Sequence, residues 1–134
     1  MMINSDEDIS RLTFRHLDGN ITLSPPTSAL EEWYIQIRDT TLYDLKLDDL
    51  ARACRQRLYL DQIVPICLHE LEKNPLAGEL YDGEVIYALK QVPEDYWLHN
   101  QIHLRRFINL TKLAFSQSGD PNLELTEKDL INRT

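Results

Sequence analysis

Leu60-Asp61-Gln62-Ile63-Val64-Pro65-Ile66-Cys67-Leu68-His69-Glu70-Leu71-Glu72-Lys73-Asn74-Pro75 is the stretch that decides the fold. Leu60, Ile63, Val64, Cys67, Leu68 and Leu71 recur every three or four residues, which places them along one side of a helix. The spacing predicts a helix over about 61–74. With Asp61 as its N-cap, Pro65 would fall in the first turn, where a missing N–H costs little. Asn74-Pro75 stops the helix, and Gly78 loosens the loop beyond it.

Working outward, the same period continues on both sides. Upstream, Pro25-Pro26 precedes Ser28 and Glu31, a capping-box pair. Leu30, Trp33, Tyr34 and Ile37 then form the apolar stripe of a helix over about 28–39. Asp48 is placed to cap another helix, with Leu50, Ala51, Cys54 and Leu58 on its inner side. Downstream, Asp82 is the expected cap of a helix bearing Val85, Ile86, Ala88 and Leu89, with Tyr81 and Ile86 as a hydrophobic staple. Pro93 opens a turn with Glu94 and Asp95, and Trp97 is the expected anchor of that turn in the core. A last helix over about 100–117 carries Leu104, Phe107, Ile108, Thr111, Ala114 and Phe115, and Ser118-Gly119-Asp120-Pro121 ends it.

The expected architecture is therefore all-α: one compact domain over 1–134, a bundle of about five helices joined by short loops. Near the N-terminus, Leu12, Phe14 and His16 alternate with polar residues, as do Ile21 and Leu23 beyond Asp18-Gly19, which fits a short β-hairpin. Residues 1–10 read as frayed. Residues 122–134 have only Leu123, Leu125, Leu130 and Ile131 to bury and read as a loosely docked final turn.

A chain of 134 residues, 43% hydrophobic and 27% charged, has enough apolar surface for one packed core. Asp6, Glu7 and Asp8 stand where a signal peptide would be basic. No apolar run approaches the roughly 20 residues needed to cross a bilayer. A cytoplasmic location with no membrane partner follows as the expectation, so Cys54 and Cys67 should be buried, reduced thiols. Acids outnumber bases by 22 to 14, a formal charge of −8, which disfavours direct nucleic-acid binding and suits a basic protein partner.

Motifs of catalysis are missing: no Gly-rich phosphate loop, no His-Glu-x-x-His, no Cys-x-x-Cys and no Gly-x-Ser-x-Gly. His99 and His103 are four apart on an expected helix and could share a metal, but a zinc site needs three or four ligands and no third stands nearby. No enzyme activity, cofactor or metal is expected. A hydrolase with a concealed acidic site is a third reading, which tight binding of a divalent metal would revive.

One segment stands out by charge. Between Glu70 and Asp95 there are seven acids (Glu70, Glu72, Glu79, Asp82, Glu84, Glu94 and Asp95) against Lys73 and Lys90, a net −5 of the chain's −8. Tyr96 to Phe115 carries Arg105, Arg106 and Lys112 and no acid. Tyr81, Tyr87 and Tyr96 are interleaved with the acids, and tyrosine supplies contact area and a hydrogen bond together. Some of these acids would equally serve as helix caps and some tyrosines as half-buried core. The candidate binding residues are Glu79, Tyr81, Asp82, Glu84, Glu94, Asp95 and Tyr96.

The central stretch also carries a resemblance. Ile37-Arg38-Asp39-Thr40-Thr41-Leu42-Tyr43-Asp44-Leu45 is followed by Leu47-Asp48-Asp49-Leu50-Ala51-Arg52, Leu58-Tyr59-Leu60, Ile63-Val64-Pro65-Ile66 and Leu68-His69-Glu70-Leu71. Asn74-Pro75-Leu76-Ala77-Gly78-Glu79, Leu80-Tyr81-Asp82-Gly83-Glu84-Val85 and Val92-Pro93-Glu94-Asp95-Tyr96-Trp97 complete the set. Over about residues 37–98 the chain resembles the immunity proteins of contact-dependent growth inhibition (CDI). Tyr96 departs from the pattern, which has phenylalanine before the tryptophan. The resemblance implies a helical cytosolic protein that binds and silences the toxic C-terminal domain of its cognate effector as a one-to-one complex. Many such toxins are nucleases with basic surfaces, for which an acidic inhibitor is the natural complement. No fixed toxin-binding motif carries over, so the candidate residues rest on charge and aromatics. The alternative is a helical adaptor or regulatory module that recruits a partner.

Overall fold

The computed structural model describes residues 9, 11–125 and 129. Among them are seven α-helices and two 3-10 turns, with no strand beyond an isolated bridge between Thr13 and Thr41. The chain is all-α, and its residues group into two compact units, Met1–Leu45 and Lys46–Thr134.

In the first unit α1 spans Phe14–Leu17 and α2 spans Ala29–Ile37, and a 3-10 turn covers Leu42–Asp44. The expected hairpin is replaced by α1. The side chain of Thr13 accepts from the His16 N–H at 3.2 Å, and the Thr13 N–H donates to His16 Nδ1 at 3.0 Å, a reciprocal cap that makes a helical turn where alternation suggested a strand. Gly19 at φ 76° and Asn20 at φ 59° then turn the chain out of the helix. The backbone ahead of and at the start of α1 is paired instead with the segment after α2, through Leu42 N–H to the Leu12 carbonyl at 2.8 Å and Arg15 N–H to the Arg38 carbonyl at 3.1 Å. Ser28 caps α2 as expected, while Glu31 reaches one residue further back, to the Thr27 N–H. Phe14, fully buried, stacks on Tyr34 with centroids 5.3 Å apart and meets the edge of Trp33.

An ion pair closes this unit. Arg38 donates to both carboxylate oxygens of Asp18, at 2.7 and 2.9 Å, and to the Ile21 carbonyl, while Tyr34 donates its O–H to Asp18. The paired side chains are each 6% exposed. The Arg38 guanidinium holds the Asp18 carboxyl well below the usual carboxylate range, against the opposing effect of desolvation. A carboxyl with a lowered native pKa stabilises the fold above its unfolded pKa, and that contribution fades as pH falls toward the native value. Melting temperature should therefore drop on acidification below about pH 4. Asp18→Asn should melt lower at neutral pH and show a shallower acid limb. An unchanged acid limb in that variant would remove Asp18 from the account.

In the second unit α3 spans Leu47–Arg55, α4 Leu60–Lys73, α5 Glu84–Leu89, α6 Glu94–His99 and α7 Gln101–Ser118, and Pro121–Leu123 forms a 3-10 turn. The seven described helices exceed the expected five because α1 replaces the hairpin and the turn that Pro93 opens is itself a helix, α6. Helix α3 packs on α4 and α5, α4 also on α5 and α7, and α6 on α7. Their inner residues include Leu50, Cys54, Ile63, Leu68, Leu71, Ile86, Leu89, Trp97, Leu104 and Phe107, all at most 2% exposed. Trp97 stacks on Phe107 at 5.3 Å and 7°, so the expected anchor is in place.

Three expected caps are corrected. Helix α3 begins after Lys46, with Asp48 inside the first turn and one of its carboxylate oxygens buried without a hydrogen-bond partner among the described residues. Helix α4 begins after Tyr59, one residue ahead of the proposed Asp61 cap. Pro65 therefore lies in the second turn, where the helix forgoes a bond to the Asp61 carbonyl. Helix α5 begins after Gly83, at φ 85°, and not after Asp82. In the last two cases a left-handed residue redirects the chain, so the turn sets the boundary and the nearest acid does not.

Gly119 closes α7 in the left-handed conformation. Asp120 caps the following 3-10 turn, and Leu123 and Leu125 are buried beyond it. Thr111, buried in α7, accepts the Leu125 N–H at 3.2 Å. Apart from residue 9, the segment 1–10 expected to fray lies outside the described residues, as do residues 126–128 and 130–134 of the expected loosely docked tail 122–134, with Leu130 and Ile131 among them.

Candidate functional site

The acidic segment divides by what its carboxylates do. Glu70 pairs with Lys73 at 2.9 Å on the surface of α4, and Glu72 meets Arg106 of α7 at 3.2 Å. Glu84, 1% exposed, points inward and accepts the Glu79 N–H at 2.7 Å and the Leu80 N–H at 3.1 Å. That carboxylate satisfies two backbone donors that would otherwise be stranded in the α4–α5 loop. The loop is further tied by Gly83 N–H to the Leu76 carbonyl and Val85 N–H to the Ala77 carbonyl. A Cβ at Gly78 would collide with the Tyr81 carbonyl oxygen and stand 2.9 Å from the Glu84 Cβ, so the crossing admits only glycine.

Held this way, the loop presents Glu79, Leu80, Tyr81 and Asp82 outward. Leu80 is 72% and Tyr81 50% exposed. Among the described residues the carboxylates of Glu79, Asp82 and Glu94 have no cationic partner. Asp95, also exposed, has the exposed His99 ring 3.6 Å from its carboxylate. Asp95 and Tyr96 line a concavity of about 350 Å³ with Asp61, Pro93, His99 and Asn100.

Tyr96 is turned inward. Only 9% exposed, it packs edge-on against Trp97, and its hydroxyl lies 2.9 Å from His103 Nδ1. Burial first, and the Asp61 charge second, push its phenol well above the ordinary range. The seven sequence candidates thus separate into five with accessible side chains (Glu79, Tyr81, Asp82, Glu94 and Asp95) and two, Glu84 and Tyr96, used inside the fold. Leu80 is the residue that sequence reading missed. Its signal was an apolar residue stranded between Gly78 and Gly83, outside any helical stripe.

His99 and His103 fall on different helices, α6 and α7, and do not form the expected i, i+4 pair. Among the described residues no group of three His, Cys, Asp or Glu side chains could hold a metal, and no helix is long and apolar enough to cross a membrane. Cys54 and Cys67 are free and fully buried.

The family of CDI immunity proteins matches residues 17–107. The chain belongs to that family, so its role is immunity to a CDI toxin. The match reaches beyond the 37–98 stretch that carried the resemblance, taking in the segment after α1, all of α2 and the first part of α7. No curated protein matches the chain.

Proposed function

We propose that this protein is a cytoplasmic, non-catalytic inhibitor that binds the C-terminal toxin domain of its cognate CDI effector one to one, and that the domain is a basic nuclease. The observation that carries this reading is the α4–α5 loop. Its backbone is tied down from within by Glu84, and its outer side offers two unpaired carboxylates beside Leu80 and Tyr81. A preorganised loop loses little entropy on docking, and an apolar–aromatic centre ringed by acids fits a basic surface. Glu94 and Asp95 at the start of α6 supply further charge. A stable complex of this kind buries about 1,200–2,000 Å².

The test is binding of the C-terminal domain encoded immediately upstream, at low and moderate salt. Glu79→Lys with Asp82→Lys should weaken binding roughly 10–100-fold and flatten its salt dependence, with helicity unchanged. Adding Glu94→Lys and Asp95→Lys should deepen the loss. Unchanged affinity and salt slope in the fourfold variant would place the toxin on another surface.

A further inference from the structure

Two nucleophiles have no part in that surface. Cys54 lies in the last turn of α3 and Cys67 in the middle of α4, thirteen positions apart in sequence and both fully buried. Their sulfur atoms are 3.5 Å apart. The corner joining the two helices is only four residues long, Gln56 to Tyr59, and two of them are non-glycine residues in the left-handed region: Arg57 at φ 58° and Tyr59 at φ 47°. Such a corner is conformationally restricted, which limits how far α3 and α4 can shift against each other around the two thiols. We propose that Cys54 and Cys67 form a redox-closable staple, joined by a small peroxide into an internal disulfide between α3 and α4.

Burial selects the oxidant. Bulky disulfides cannot reach the sulfur atoms of two fully buried residues, whereas hydrogen peroxide can enter during a local opening. In the closed state the neighbouring Cys54 and burial push the Cys67 thiol well up, which keeps it protonated and slow to react. On opening, one sulfur attacks a peroxide oxygen. The O–O bond breaks, one water leaves, and a sulfenic acid remains. The second thiol attacks that sulfur, the S–S bond forms, the S–O bond breaks, and a second water leaves. Two thiols and one peroxide become one disulfide and two waters, a balanced two-electron oxidation.

The test treats the full chain with hydrogen peroxide and then reads intact mass, alkylatable thiols after unfolding, and melting temperature. The expected product is a monomer lacking two hydrogens, with neither thiol alkylatable. Its melting temperature should rise by about 5–15 °C, as for a short closed loop, and fall back on reduction. Cys54→Ala and Cys67→Ala should each abolish the rise, and the wild-type mass and thiol count decide the matter even where a variant folds poorly. Thiols that stay alkylatable, added oxygen in place of lost hydrogen, a bond between two chains, or an internal bond that lowers the melting temperature would each overturn the proposal.

Discussion

Trp97→Ala is expected to lower the unfolding free energy by about 3–5 kcal/mol, seen as a reduced urea midpoint with an unchanged slope. Trp97 is fully buried, lies face to face with Phe107 at 5.3 Å and takes the edge of Tyr96 at the same distance. Truncation removes the apolar area, both ring contacts and the volume that separates α6 from α7. One term runs the other way. The indole N–H is buried without an acceptor among the described residues, so losing it relieves a desolvation penalty and sets the effect toward the lower end. Trp97→Phe keeps a ring against Phe107 and drops the orphan N–H, so it should cost well under half as much. An alanine variant within about 1 kcal/mol of wild type would mean that the neighbouring helices collapse into the vacated space.

Glu84→Ala should cost about 1–3 kcal/mol, from two part-buried loop amides left without their acceptor. It should also weaken toxin binding roughly tenfold, because Glu79 and Leu80 lose the bonds that hold the loop in its docking shape. Glu84→Gln retains a carbonyl acceptor and should recover most of both. Thermal melts and binding measured on the same variants separate the roles. Binding lost with stability untouched would mean that Glu84 meets the partner directly; stability lost with binding intact would mean that the loop re-forms on the toxin.

Charge alone made Glu84 look like its acidic neighbours, and nothing in composition distinguishes an acid that faces water from one that faces amides. The distinction lies in the glycines. Gly83 supplies a left-handed turn immediately before Glu84, and that turn puts its carboxylate under the loop. The same physics governed the misplaced caps. Asp61 and Asp82 are adequate cap residues by type, yet Tyr59 and Gly83 make the bends that start α4 and α5, and a bend is a tertiary outcome that a local pattern does not report. The helices with long apolar stripes, α2, α4 and α7, were legible because 3.6-residue periodicity over nine or more residues leaves few alternatives. Over Leu12 to His16 only two apolar residues, Leu12 and Phe14, were available, and period two could not be told from a capped helical turn. Tyr96 resembled an interface tyrosine until Trp97 and His103 were seen to enclose it.

The α4–α5 loop keeps its frame apart from its lettering. Gly78, Gly83 and Glu84 determine the path of the chain and face inward or allow no side chain, while Glu79, Leu80, Tyr81 and Asp82 project from that path. Substitutions at the second group rewrite what the loop says without disturbing how it is held. On the proposed function, a lineage confronted with an altered toxin would explore new recognition one outward residue at a time, with each intermediate still folded.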